Sequence, residues 1–107
     1  MEISELEKMT KGWFIGNFEP TLYNTDDVEV AVKVYVEGDY EPSHFHKVAT
    51  EFTVIIDGKV EMNGNVYESG QIIKILPNES SDFKALTNVK TVVVKIPGAL
   101  NDKYSKV

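Results

Sequence analysis

Cysteine is absent from this chain of 107 residues. With it go disulfide bridges, thiolate metal sites and thiol catalysis. Blocks of basic residues are missing too, and the formal charge is −6 at pH 7, so charge alone draws the chain neither to nucleic acid nor to an anionic membrane surface. No apolar run approaches the length of a bilayer span. The opening MEISELEKMTKG has neither the basic start nor the apolar stretch of a secretory leader, which predicts the cytoplasm. Gly-rich phosphate loops are lacking, and none of the serines, Ser4, Ser43, Ser69, Ser80, Ser81 and Ser105, stands in a nucleophile elbow. Helical periodicity is weak almost throughout. Residues 1–12 read as an N-terminal arm or a single helical turn, and 101–107 as a C-terminal tail.

What is present is alternation. In VEVAVKVYV, Val28, Val30, Val32, Val34 and Val36 share one face, opposite Glu29, Ala31, Lys33 and Tyr35, the pattern of a half-buried strand. Short strand-like runs follow: EFTVII, KVEM, NVYE, QIIKIL, SDFKAL and KTVVVKI. They are parted by turn chemistry at Asp57-Gly58, Asn63-Gly64, Ser69-Gly70 and Pro77-Asn78. With 42% hydrophobic residues, this length suits one globular domain, residues 1–107. Tight turns and no intervening helix predict an all-β fold, a small antiparallel barrel or sandwich.

Both histidines of the chain, His44 and His46, lie one residue apart. On a strand they share a face, so their imidazoles can converge on one ion while Phe45 points away. Glu51 opens the next strand, whose same-face neighbours are Thr53 and Ile55. A strand returning beside the histidines brings its carboxylate to the same place. Two imidazoles and a carboxylate suit Fe, Mn, Ni, Co or Zn. A lone His-x-His is also found as ordinary polar strand surface, and the pair by itself does not choose between the two.

The surrounding spacing is more specific. Gly38, five residues, His44-x-His46, four residues, Glu51, six residues and Gly58 together resemble the first motif of the cupin superfamily. That resemblance implies a jelly-roll barrel (a double-stranded β-helix) with His44, His46 and Glu51 as ligands of one divalent metal ion. Gly38 and Gly58 are then structural, opening and closing turns. A second cupin motif normally adds a histidine ligand after glycine and proline-x-glycine. Here the similar stretch is SGQIIKILPNESSDF, in which Gly70 and Pro77 fit with one extra residue between them. Glu79 stands for the second glycine, as a turn residue, and Asp82 for the histidine. Asp82 is then a fourth ligand, or a neighbouring base with the ion left on three protein ligands, or the mark of a decayed site. If Asp82 faces the pocket so does Lys84, and the two become candidate catalytic residues. If Phe83 and Ala85 form the core face, both point to water.

Trp13, Phe14 and Phe18 form the densest aromatic group, lining a pocket or an interface, or packing into the core. Tyr35 and Tyr40 either hydrogen-bond a substrate or are ordinary strand and loop tyrosines. The resemblance further implies a homodimer, since small one-domain cupins commonly pair through exposed strands or an exchanged N-terminal arm. It leaves two functions open. One is a metal-dependent enzyme, an isomerase, epimerase or dioxygenase, acting on a small polar metabolite such as a sugar or sugar derivative. The other is a non-catalytic module that binds or senses a small molecule.

Overall fold

Ten short strands and one 3-10 turn make up the regular structure of residues 1–106, the part described by the computed structural model. Val107, the last residue of the expected tail, lies outside the described residues. The strands are β1 (Trp13–Ile15), β2 (Glu29–Tyr35), β3 (Tyr40–Phe45), β4 (Thr50–Asp57) and β5 (Lys59–Met62). They continue with β6 (Asn65–Glu68), β7 (Ile72–Ile75), β8 (Ser81–Ala85), β9 (Val89–Ile96) and β10 (Tyr104–Ser105). They form two five-stranded sheets, ordered β1-β2-β9-β4-β7 and β10-β3-β8-β5-β6. Every pairing is antiparallel. This is the expected all-β jelly roll.

The inner faces are divided along the strands. At one end Ile55, Val60, Met62, Phe83, Ala85 and Val89 form the buried core, with Tyr35, Tyr67, Ile73 and Ile75 packed against it. Toward the other end the same faces turn polar: Glu51 and Thr53 precede Ile55 on β4, Thr91 and Lys95 follow Val89 on β9, and Ser81 precedes Phe83 on β8. Alternation therefore carries each strand from a dry core into a polar cavity without a change of face.

The structure decides which face of β2 turns inward. Its inward residues are Glu29, Ala31, Lys33 and Tyr35; Ala31 is fully buried, while Val34 is 66% exposed. Register pairs Val30 with Val94 and Val32 with Val92 on β9, and pairs Phe52 and Val54 of β4 with the same two β9 valines. The outer face of this sheet is thus a continuous apolar surface. Period 2 says which residues share a face, but both faces of β2 carry apolar side chains, so it cannot say which one turns inward.

The residues read as arm and tail are built in unequally. A single 3-10 turn spans Leu6–Lys8, and residues 1–8 are exposed. At the other terminus β10 pairs with β3, and Asp102 is buried.

Two glycines show what the turns require. Gly58 (φ +99°) closes the β4–β5 turn, where a Cβ would collide with the Asn88 carbonyl oxygen. Gly38 also has positive φ (+94°), but nothing lies within 4 Å of the Cβ position. Gly58→Ala is expected to cost roughly 3 kcal/mol from strain and overlap together, and Gly38→Ala about 1 kcal/mol from backbone strain alone. Urea unfolding of the two variants measures the difference; equal midpoints would show that the Asn88 contact does not matter.

Candidate metal centre

β3 ends at Phe45, and the chain runs on through His46 before bending at Lys47 and Val48. His44 and His46 therefore keep a common face, with ring centroids 5.5 Å apart and planes at 79°. Phe45 points the other way and stacks on Tyr104 of β10. From the start of β4, Glu51 places Oε1 3.5 Å from His46 Nε2, while its Oε2 accepts a hydrogen bond from Thr53 Oγ1 at 3.3 Å. The three expected ligands line one cavity of about 280 Å³ between the sheets. Among the described residues, no group of three or more His, Asp or Glu side chains is gathered closely enough to hold a metal ion as it stands.

Hydrogen bonds settle the imidazole tautomers. His46 Nδ1 lies 2.6 Å from the Asp102 carbonyl oxygen, and His44 Nδ1 lies 3.2 Å from that of Pro42. A carbonyl only accepts, so each Nδ1 carries the proton and each neutral ring keeps its lone pair on Nε2. His46 Nε2 is buried and has no hydrogen-bond partner. It faces a carboxylate oxygen at a distance too long for a good hydrogen bond. A proton or a metal cation on Nε2 would satisfy both atoms. By type, two imidazoles and a carboxylate are donors that Fe, Mn, Ni, Co or Zn accept, and backbone carbonyls behind the rings are partners of the kind that orient metal-ligating histidines.

Charge supports this. Burial would raise the Glu51 carboxyl, but the His46 ring, the Lys95 ammonium and His44 outweigh it and hold Glu51 below its ordinary range. Burial is the main cause that lowers His44, with Lys103 adding to it and the Pro42 hydrogen bond opposing. Glu51 is thus ionised and His44 neutral at neutral pH, the states that ligation requires.

Asp102 is the residue that sequence reading missed. Its carboxylate accepts hydrogen bonds from the backbone N–H groups of Lys47, Val48 and Ala49, at 2.9 to 3.2 Å. It thereby holds the bend joining the histidine strand to the glutamate strand, while its own carbonyl orients His46. No local motif marks Asp102, because its partners are more than fifty residues away in sequence.

Of the two alternatives for β8, the structure turns Lys84 to water and so removes it as a candidate catalytic residue, while Asp82 stays at the cavity wall. On β8 the buried residues are Ser81, Phe83 and Ala85, and Lys84 is exposed. Asp82 touches the cavity wall, but its Oδ1 accepts the backbone N–H of Asn63 at 2.7 Å and so fastens the β5–β6 turn. Neither imidazole has an Asp82 oxygen within 4 Å among the described residues. The strand position paired with His44 is Ser81. Glu79 is a turn residue as expected, its Oε1 accepting the Leu76 N–H. Trp13 and Tyr35 line the cavity, whereas Tyr40 is 58% exposed.

No protein-family model matches this chain, and no curated protein sequence matches it significantly. Solved structures do. A protein with a double-stranded β-helix domain from Klebsiella pneumoniae is 22% identical, with TM-score 0.70 over 78% of this chain and 74% of that one. An RmlC-like cupin from Shewanella frigidimarina is 16% identical, with TM-score 0.65 over 73% of this chain and 72% of that one. The DMSP lyase DddQ from Ruegeria pomeroyi is 20% identical, with TM-score 0.65 over 83% of this chain and 46% of that one. These likenesses show the fold.

Replacing Asp102 by alanine leaves three backbone donors without their acceptor. We expect a loss of about 2 kcal/mol, or roughly 10 °C in Tm for a domain this small. A Tm within 2 °C or so of the unsubstituted protein would remove Asp102 from this role.

Proposed function

From the cupin fold that the chain shares with these proteins, we propose that it is a metal-dependent enzyme acting on a small polar metabolite, such as a sugar or sugar derivative. His44, His46 and Glu51 would hold the ion. The observation that carries this reading is the buried, unpartnered Nε2 of His46 facing the Glu51 carboxylate. When bound, a divalent ion at these residues supplies Lewis acidity toward a carbonyl or hydroxyl, or activates water or O₂.

The chain's own residues supply the rest. Tyr35 donates its hydroxyl proton to Glu41 Oε1 at 3.0 Å. Burial first, then Glu41, drive the Tyr35 pKa far upward, so the phenol keeps its proton and serves as a donor, not as a base. Thr53 fixes one oxygen of Glu51 and leaves the other toward His46. Protons at the reacting end fall to groups in the cavity wall such as Glu41 and Lys33, in place of Lys84. A module that only anchors a ligand through its ion would suit a narrow apolar pocket. The lysines, carboxylates and tyrosine of this wall favour chemistry. With its expected location, the protein would serve cytoplasmic carbohydrate metabolism.

Metal analysis of the purified protein beside His44→Ala and His46→Ala tests the ligand assignment. Stoichiometric metal in the unsubstituted protein and a loss of most of it in both variants is expected. Equal, trace metal in all three would sink it.

We also propose that two copies pair through the outer face of the β1-β2-β9-β4-β7 sheet. Val34 (66% exposed), Ile72 (65%), Ile56 (50%) and Ile96 (50%) lie on that sheet, and its outer valines are continuous by register. Monomers rarely leave a contiguous apolar surface of more than a few hundred Å² open to water. Sedimentation velocity should show a dimer for the unsubstituted protein and a monomer for Val92→Lys, at the middle of the face. A monomer at every concentration of the unsubstituted chain overturns the pairing.

A further inference from the structure

All eleven basic side chains of this protein are lysines. Four of them, Lys11, Lys33, Lys95 and Lys103, line the cavity that also holds the histidines and Glu51. The wall carries as many carboxylates, Glu41, Glu51, Glu79 and Asp82, which act on the lysines at a distance but make their hydrogen bonds elsewhere. Glu41 is engaged by the Tyr35 hydroxyl, Glu79 by the Leu76 N–H and Asp82 by the Asn63 N–H. Glu51 is turned to His46 and Thr53. Among the described residues none of the four ammonium groups has a carboxylate oxygen within 4 Å.

Two of them share a support. Lys33 on β2 and Lys95 on β9 place Nζ 5.3 and 4.9 Å from the centroid of the Trp13 ring. An indole attracts each cation by about 0.5–2 kcal/mol, which holds the pair in place but does not neutralise it. Burial, the largest influence on Lys33, lowers its pKa; Glu41 opposes this, and Lys95, Lys103 and Lys11 add to it. Thr91 is paired with Lys33 across β2 and β9, is fully buried, lines the same cavity, and its Oγ1 has no hydrogen-bond partner. A hydroxyl without a partner and two ammoniums with no carboxylate within 4 Å thus line the cavity that also holds the proposed metal ligands.

We propose that Lys33 and Lys95 over Trp13, with the Thr91 hydroxyl, form a seat for the anionic group of a small carboxylated or phosphorylated metabolite, bound in the cavity with His44, His46 and Glu51. The seat stands on its own geometry; that the bound molecule is a substrate rests on the metal-dependent reading above. Cavities for small ligands usually begin near 300 Å³, so at about 280 Å³ the molecule is compact. The lysines would neutralise its charge and orient its other end toward the histidines.

Trp13 is the only tryptophan, so its fluorescence reports directly on the seat. The purified protein is titrated with oxalate, inorganic phosphate and, as a neutral control, glucose, at constant ionic strength. A saturable change with oxalate or phosphate but not glucose is expected, and the tighter of the two anions identifies the group recognised. Lys33→Gln and Lys95→Gln should each weaken that binding at least tenfold and the double variant abolish it. Lys95→Arg should retain it, and Lys90→Gln, exposed on β9, should leave it unchanged. Circular dichroism checks that each variant is folded. The proposal is overturned by the absence of a saturable anion response, or by one that survives in the double variant. Zinc binding, measured separately by calorimetry, keeps the two readings apart. Zinc bound without anion rejects the seat alone; anion bound without zinc rejects the metal centre alone.

Discussion

The carboxylate of Asp102 accepts three successive backbone N–H groups, those of Lys47, Val48 and Ala49, in the bend between the two strands that carry the proposed ligands. The same residue's carbonyl takes the proton of His46 Nδ1. One side chain and one peptide oxygen therefore determine where the histidine strand stops, how the glutamate strand begins and which nitrogen of His46 faces the cavity. Loop donors left bare in a buried place are costly, and a free imidazole has two tautomers. Asp102 removes both freedoms. It can do so because β10, immediately after it, is paired with β3, and Phe45 stacks on Tyr104 across that pair.

The barrel's inner faces then serve two ends. The strands begin or end in aliphatic core around Ile55 and Val60, both fully buried, and that core holds the polar cavity in shape. Within the cavity each carboxylate has a local partner, while Lys33 and Lys95 meet only the indole of Trp13. The wall carries as many carboxylates as lysines, yet none of these ammonium groups has a carboxylate oxygen within 4 Å among the described residues. Burial weakens solvent screening there and makes their charge felt by anything that enters.

Much of this was legible beforehand. The alternating runs marked the strands, because a two-residue period needs no long-range information to be read. Asn63-Gly64 announced a hairpin, and both residues do take positive φ, as a type I′ turn demands. The spacing around His44, His46 and Glu51 proposed a trio that the fold brings to one cavity. The two faces of β2 were separable but not assignable, and Ala31 and Lys33, not Val32 and Val34, turn inward. Whether Lys84 faced the pocket or water was open for the same reason. Phase along β8 is decided by which residues the core accepts, and Phe83 and Ala85 were accepted.

The sequence by itself determined the strand segments, their turns and the shared face of the two histidines, because these depend on neighbours a few residues apart. Tertiary structure alone decided which faces became interior, that Asp102 would reach back to the Lys47–Ala49 bend, and that Lys33 and Lys95 would share one indole. Each of those depends on groups distant in sequence and on the volume and charge that the closed barrel admits.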